Sequence, residues 1–269
     1  MSDDTAAFIG SIPEYYDNGL GPIMFADYAA DIAQRAAATG AERVLEIAAG
    51  TGIVTRRLRD LLPAQAHLTA SDLNPPMLDA ARGKFGPHER VEFRPADATS
   101  LSFPDGSFDA VVCQFGVMFF PDKDKAYREV HRVLAPGGHY LFNVWDSMRF
   151  NPFARIAHDV IGSFFASDPP PFYAVPFSYA QIDPIKQSLI DAGFIGIAAH
   201  VIGWDKDIAD VARFAKALIF GNPTIDQIRA RGGDPEAVVV AIENALRREF
   251  ALSAGRMPLQ AILFEARKA

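Results

Sequence analysis

The sequence predicts an α/β protein built on a doubly wound, mostly parallel sheet, and two observations carry that expectation. Between about residues 43 and 145, short β-like runs alternate with helical stretches, the pattern of successive βαβ units. Right-handed crossovers between such units leave doubly wound folds as the main solution. The first run, "VLEIAAGTGIVT" at residues 44–55, then passes from strand through a glycine-bearing loop into a helical pattern. A loop of this kind lets a ligand approach the backbone and the N-terminus of the following helix.

The elements follow in order. "IMFADYAADIAQRAAAT" reads as a leading helix, then "RVLEI" as a strand and "VTRRLRDLL" as a helix. "HLTASD" is the second strand. "NPPMLDAARGKF" opens a helix with Asn74 as N-cap and Pro75 at the first helical position, where the missing N–H is no loss. The strands "VEFRPAD" and "FDAVVCQFG", the helix "DKDKAYREVHRVL", a turn at "APGG" and the strand "HYLFNVW" complete the alternation. Pro136-Gly137 suits a tight structural turn. After Trp145 the chain becomes rich in Phe and Pro. "YAQIDPIKQSLIDAGF" predicts a helix stopped by Gly193, "IGIAAHVIGW" a strand, 206–220 and 235–250 two further helices, and "MPLQAILFEARKA" a last strand. "GNPTIDQIRARGGDP" reads as the link between the two helices.

Bulk properties narrow the function classes. The chain has 269 residues, 49% hydrophobic and 22% charged, as in a protein that buries a full core. A net charge of −7 and a pI near 5.4 give no electrostatic footprint for nucleic acid. The Arg56-Arg57 and Arg247-Arg248 pairs read as solvated helix faces. The lone Cys113 rules out an intrachain disulfide, fits a reducing compartment, and lies in an apolar run as a small core residue. "MSDDTAAFIG" lacks the layout of a signal peptide, and no apolar run approaches the ~20 residues that span a bilayer. The expectation is a cytoplasmic protein without stable membrane insertion. Histidines 131, 139, 158 and 200 show no H-x-x-x-H spacing, so no metal site is expected.

Three ligands compete for the glycine loop. A phosphate-binding Walker loop needs Gly-Lys-Ser/Thr, and the loop holds no lysine. A dinucleotide fingerprint needs a third small residue where Thr55 stands, and Glu46 would repel a pyrophosphate. A nucleoside carrying an amino acid instead of phosphates is the third, and there Glu46 attracts a cation.

With Glu46, Gly50 and Gly52 in place and Ala48 at the first glycine position, the stretch resembles motif I of the class I S-adenosylmethionine-dependent methyltransferases. The resemblance covers roughly residues 40–145 and is nearest to the branch containing the ubiquinone and menaquinone biosynthesis methyltransferases. It implies a seven-stranded Rossmann-like sheet whose last strand, "QAILFEARK", is antiparallel and inserted beside the preceding one. The implied organisation is an N-terminal helical cap (1–40), a core (41–203 and 256–269) and a helical lid insertion (204–255).

The resemblance also implies S-adenosylmethionine as cofactor, leaving as S-adenosylhomocysteine. Its implied contacts are Glu46 near the amino group, Asp72 to the ribose hydroxyls, and Asp97 with Ala98 at the adenine edge. Ala48, Gly50, Gly52, Leu73, Met77 and Gln114 complete the expected cofactor set. Ala48 and Ala49 are expected at negative φ, leaving only Gly50 and Gly52 in need of glycine's freedom.

Methyl transfer from a sulfonium is an in-line displacement that needs alignment and water exclusion more than a strong base. No catalytic residue is therefore assigned. The expected substrate lining is Tyr15, Tyr16, Phe25, Met118, Phe119 and Trp145. With 21 phenylalanines in the chain, a small, mostly apolar acceptor is expected. The rival readings are a non-catalytic S-adenosylmethionine-binding or regulatory protein and, less well matched, a nicotinamide-dependent oxidoreductase.

Overall fold

The structure is a computed structural model that describes residues 5–251 and 256–269. Residues 1–4 and 252–255, which belong to the expected cap and lid, lie outside the described residues. The core is one seven-stranded sheet in the order β3-β2-β1-β4-β5-β7-β6. Its strands are β1 (Arg43–Glu46), β2 (His67–Asp72), β3 (Val91–Pro95), β4 (Phe108–Gln114), β5 (Leu134–Trp145), β6 (Phe194–Asp207) and β7 (Arg256–Lys268). The first five strands run parallel, and β7 is antiparallel to both β5 and β6 between which it lies. The inserted antiparallel last strand is thus present as expected.

Alternation along the central strands builds two apolar layers. Val44, Ala110 and Val112 face one cluster, shared with Ile32 and Ala36 of α2 (Ala26–Ala38) and Leu58 of α3 (Ile53–Leu61). Leu45, Val111 and Cys113 face the other, which takes in Tyr127 and Val130 of α5 (Lys123–Val133). Cys113 is a buried free thiol, and burial pushes its pKa up to about 12, as a core residue requires.

The chain enters through α1 (Ile12–Tyr15) and a π-helical segment, Tyr16–Phe25, before α2. Gly19 lets that segment press on Ala217, since a Cβ there would fall 2.3 Å from the Ala217 Cβ. Beyond β5 come α6 (Pro152–Ser163), α7 (Ile182–Asp191), α8 (Val211–Phe220), α9 (Thr224–Ala230) and α10 (Pro235–Phe250). Asp122, Asp210 and Asp234 cap α5, α8 and α10 by accepting from the amides of Lys125, Arg213 and Glu236. Gly193 adopts φ +96°, as a helix-ending glycine should.

Four local expectations fail. At Asn74 the side chain accepts no hydrogen bond from the start of α4 (Pro75–Arg82); its amide donates instead to the Ala6 carbonyl, so the cap position serves tertiary contact. "APGG" lies within β5, whose register with β4 shifts between Phe108 and Ala110. β6 extends to Asp207, because long pairing with β7 overrides the polar "WDKD" sequence, and α8 starts only at Val211. The stretch read as a link between helices contains α9.

Candidate functional site

Strand order reverses between β1 and β4, and at such a switch point an open α/β sheet leaves a crevice beyond the carboxyl ends of its strands. The loop after β1 is stitched to both neighbours. Ile47 N–H donates to the Val112 carbonyl at 2.9 Å, and Ala49 N–H to the Ser71 carbonyl at 2.9 Å. Gly50 takes φ +56° and Gly52 φ +79°. A Cβ on Gly52 would lie 2.9 Å from the Ala81 Cβ, so this glycine lets α4 pack close to the loop.

Ala48 corrects the expectation, for it sits at φ +52° instead of a negative value. Its methyl is accommodated by Gly116 in the loop after β4: a Cβ on Gly116 would fall 2.5 Å from that of Ala48 and 2.8 Å from the Cys113 sulfur. The extra methyl packs against the β4 loop, and the cradle is not closed by it.

Asp72 ends β2 and is buried. Its Oδ2 accepts from Gly50 N–H and its Oδ1 from Asn74 N–H, each at 2.8 Å. Burial raises its pKa, and these amides act in the opposite direction. Just after β3, Asp97 turns its Oδ1 to the amide and hydroxyl of Thr99, both at 2.8 Å, while its side chain is exposed at the crevice.

These groups open onto one cavity, about 1220 Å³ when the solvent at its mouth is counted in. It is lined by Ala48, Gly50, Asp72, Leu73, Met77, Asp97, Ala98 and Gln114 of the expected cofactor set. Tyr16, Phe25, Met118, Phe119 and Trp145 of the expected substrate set line it too.

Three expected residues do not reach it. Gly52 faces α4. Tyr15 turns outward against Phe220, with ring centroids 5.3 Å apart. Glu46 lies beneath the loop, 1% exposed in the central strand, where desolvation pushes its pKa up to about 8. The nearby Thr55 hydroxyl offsets this in part and the Asp72 carboxylate adds to it. Thr55 Oγ1 approaches the Glu46 carboxyl, but neither it nor Glu46 Oε2 has a partner at strict hydrogen-bond geometry among the described residues.

The outer wall is aromatic. Phe115, at φ +52°, is held by the Asn143 carbonyl and side-chain oxygen, and its ring stacks on Trp145 at 4.0 Å. Tyr16 stacks on Phe25 at 4.8 Å, and burial with Asp72 and Asp17 nearby keeps its phenol protonated by raising the pKa. Phe8 meets Tyr16, Phe119 and Phe172 edge-on, drawing the N-terminal segment over the crevice.

Phe115 lies in the end of β4, Gln114 to Phe120, that the sequence reading turns toward the acceptor, and it lines the cavity; Phe8, Phe172, Tyr173 and Asn222 line it too without being singled out by the sequence. Phe172 and Tyr173 had as their signal only membership of the Phe- and Pro-rich stretch after Trp145. Among the described residues, no Lys, Arg or His lines the cavity. Among the described residues no cluster of three potential metal ligands occurs, and no helix is long and apolar enough to cross a membrane.

The sheet order and the acid-and-glycine cradle at its switch point define a class I methyltransferase fold. Residues 45–142 match the methyltransferase domain family. The chain is 40% identical over 120 residues to the ubiquinone/menaquinone biosynthesis C-methyltransferase UbiE of Hahella chejuensis, covering 44% of this chain and 48% of that protein. It is 33% identical over 167 residues to UbiE of Escherichia coli, covering 57% and 66%. The aligned part thus spans about half to two thirds of these curated relatives. In structure it is similar to phosphoethanolamine N-methyltransferase 2 of Haemonchus contortus, solved with S-adenosyl-L-methionine. The TM-score is 0.62 at 17% identity, over 100% of this chain and 60% of that one.

Proposed function

We propose that the chain is an S-adenosylmethionine-dependent methyltransferase acting on a small, mostly apolar acceptor. One observation carries the reading: Asp72 and Asp97, from adjacent strand ends, share with the glycine loop one cavity whose opposite wall is aromatic. A carboxylate offers about four lone-pair sites; on Asp72 the Gly50 amide takes one on Oδ2, the Asn74 amide and the Asn74 Nδ2 at 3.4 Å occupy Oδ1, and the remaining site on Oδ2 is open to a ribose hydroxyl. Asp97, with Oδ1 taken by Thr99, offers Oδ2 to an exocyclic amine. Leu73, 59% exposed beside it, is a flat apolar support for a base. Glu46 acts from beneath the loop rather than by contact.

The cofactor, when bound, supplies an electrophilic methyl group on a sulfonium. This chain's own part is placement and dryness. Gln114 and Phe115 at the end of β4 border the path between cofactor and acceptor, and the Phe115–Trp145 stack excludes water from it. Such positioning can lower a barrier by about 7–11 kcal/mol without a general base. The N-terminal segment and the helices of the 204–255 region serve as the cavity's cover. The names of the relatives, C-methyltransferases of ubiquinone and menaquinone biosynthesis, agree with an apolar acceptor.

Incubation with methyl-labelled S-adenosylmethionine and a panel of quinols, phenols and lipophilic amines tests this. Label is expected in the organic extract of at least one acceptor. A folded protein that binds the cofactor yet labels none supports the non-catalytic alternative.

A further inference from the structure

Asn143, near the end of β5, is 1% exposed and does not line the cavity, yet two residues that do line it, at the end of β4, both lean on it. Gln114 is its partner in the β4–β5 register, and Phe115 follows at once. Phe115 N–H donates to the Asn143 carbonyl at 3.1 Å and to Asn143 Oδ1 at 3.0 Å. Asn143 Nδ2 reaches Gln114 Oε1 at 3.5 Å, and Gln114 Nε2 reaches the Phe25 carbonyl at 3.4 Å. These last two contacts are long, so they orient more than they bind.

The ends of this chain of contacts fix its direction. Phe115 N–H can only donate and the Phe25 carbonyl can only accept, so the two carboxamides between them share one satisfactory orientation. Packing gives no reason for a polar group here. Phe142 and Val144 on either side are fully buried, and an apolar side chain avoids the desolvation that an amide incurs. Nor does Phe115 need the side-chain oxygen to satisfy its amide, which the Asn143 carbonyl already meets. What the extra bond does is hold Phe115 at φ +52°, a backbone that disfavours any residue with a Cβ and persists only where its surroundings impose it. In that conformation the Phe115 ring lies on Trp145 at 4.0 Å, with the ring planes 7° apart.

We propose that Asn143 is a positioning residue of the site: it orients the Gln114 carboxamide for the cofactor and holds the Phe115 ring on Trp145, touching no ligand itself. The Gln114 half rests on the methyltransferase reading, whereas the Phe115 half is read without any ligand.

Trp204→Phe leaves Trp145 as the one tryptophan of the chain. In that background Asn143→Leu, Asn143→Ala, Gln114→Met, Phe115→Leu and the double variant Asn143→Leu/Gln114→Met are compared. The Asn143 variants are expected to fold, since Phe115 N–H keeps its main-chain carbonyl. Acrylamide quenching of Trp145 should rise in both of them toward the value of Phe115→Leu, and should stay at the starting value in Gln114→Met. Calorimetric affinity for S-adenosylhomocysteine should fall in Asn143→Leu and in Gln114→Met by roughly three- to tenfold, the range of one neutral hydrogen bond. The double variant should lose no more than the weaker single variant, because Asn143 reaches the cofactor only through Gln114. Unchanged quenching or unchanged affinity in a folded Asn143 variant, or losses that multiply in the double variant, overturns the proposal. Unfolding of both Asn143 variants assigns the residue to stability alone and overturns it too. Folded wild type that binds no S-adenosylhomocysteine instead contradicts the cofactor reading, and the quenching then decides by itself whether Asn143 holds the stack.

Discussion

Asp72 holds the cradle together through Gly50: the carboxylate Oδ2 accepts the Gly50 amide at 2.8 Å, tying the end of β2 to the loop after β1. Its other oxygen takes the Asn74 amide at the start of α4. One side chain therefore fixes both walls of the crevice.

Replacing Asp72 by Asn turns an NH₂ group toward one of these two N–H donors. The variant is expected to lose about 1–3 kcal/mol of stability, read by urea denaturation, because a buried amide is left unpaired. An unchanged midpoint would show that the loop is held by its other bonds.

Glu46 makes stability depend on pH in an unusual direction. Its folded pKa, about 8, lies above the ordinary 4.5, so the folded state holds a proton that the unfolded state has lost. This contribution is fully present below about pH 4.5 and declines as pH rises toward 8, by about 1.4 kcal/mol per pH unit. Glu46→Gln removes the titration. Denaturation curves between those limits should show the variant gaining on wild type as pH increases; a difference that does not vary with pH contradicts the buried, protonated carboxyl.

Ala48 and Gly116 are coupled by contact. Gly116→Ala would drive a methyl to 2.5 Å from the Ala48 Cβ, an overpacking expected to destabilise by about 1–3 kcal/mol. Ala48→Gly removes that neighbour and also an alanine from φ +52°, so the double variant should recover much of the loss. Thermal melts of the four proteins check this, and strict additivity would deny the coupling.

Gly52 separates packing from binding. Gly52→Ala places its Cβ 2.9 Å from Ala81 and forces φ +79° on an alanine, so the expected effect is on the melting temperature. S-adenosylhomocysteine affinity of whatever fraction stays folded should be little changed. A selective loss of affinity at an unchanged melting temperature would return Gly52 to the ligand.

The strands and the positions of the two acids were legible because each rests on local pattern, whereas the seven-stranded sheet with its inserted antiparallel last strand followed from the family resemblance. Alternating runs mark the strands, and Asp72 and Asp97 stand where strands meet loops. Ala48's conformation was not legible, since the room for its methyl is left by Gly116, 68 residues away and silent as a sequence signal. Glu46 reads as a ligand contact by motif, but the pairing of β1 on both sides buries it. The aromatic wall shows in composition, yet only tertiary packing decides that Tyr16 faces inward and Tyr15 toward Phe220.

The central claim is that the crevice at the β1–β4 switch point binds S-adenosylmethionine through Asp72 and Asp97. Calorimetric titration of wild type and Asp97→Ala tests it most directly, since Asp97 is exposed and its loss spares the core. The account predicts one cofactor per chain, with affinity weakened in Asp97→Ala by about 1–3 kcal/mol. Folded wild-type protein that takes up no S-adenosylmethionine or S-adenosylhomocysteine would contradict it.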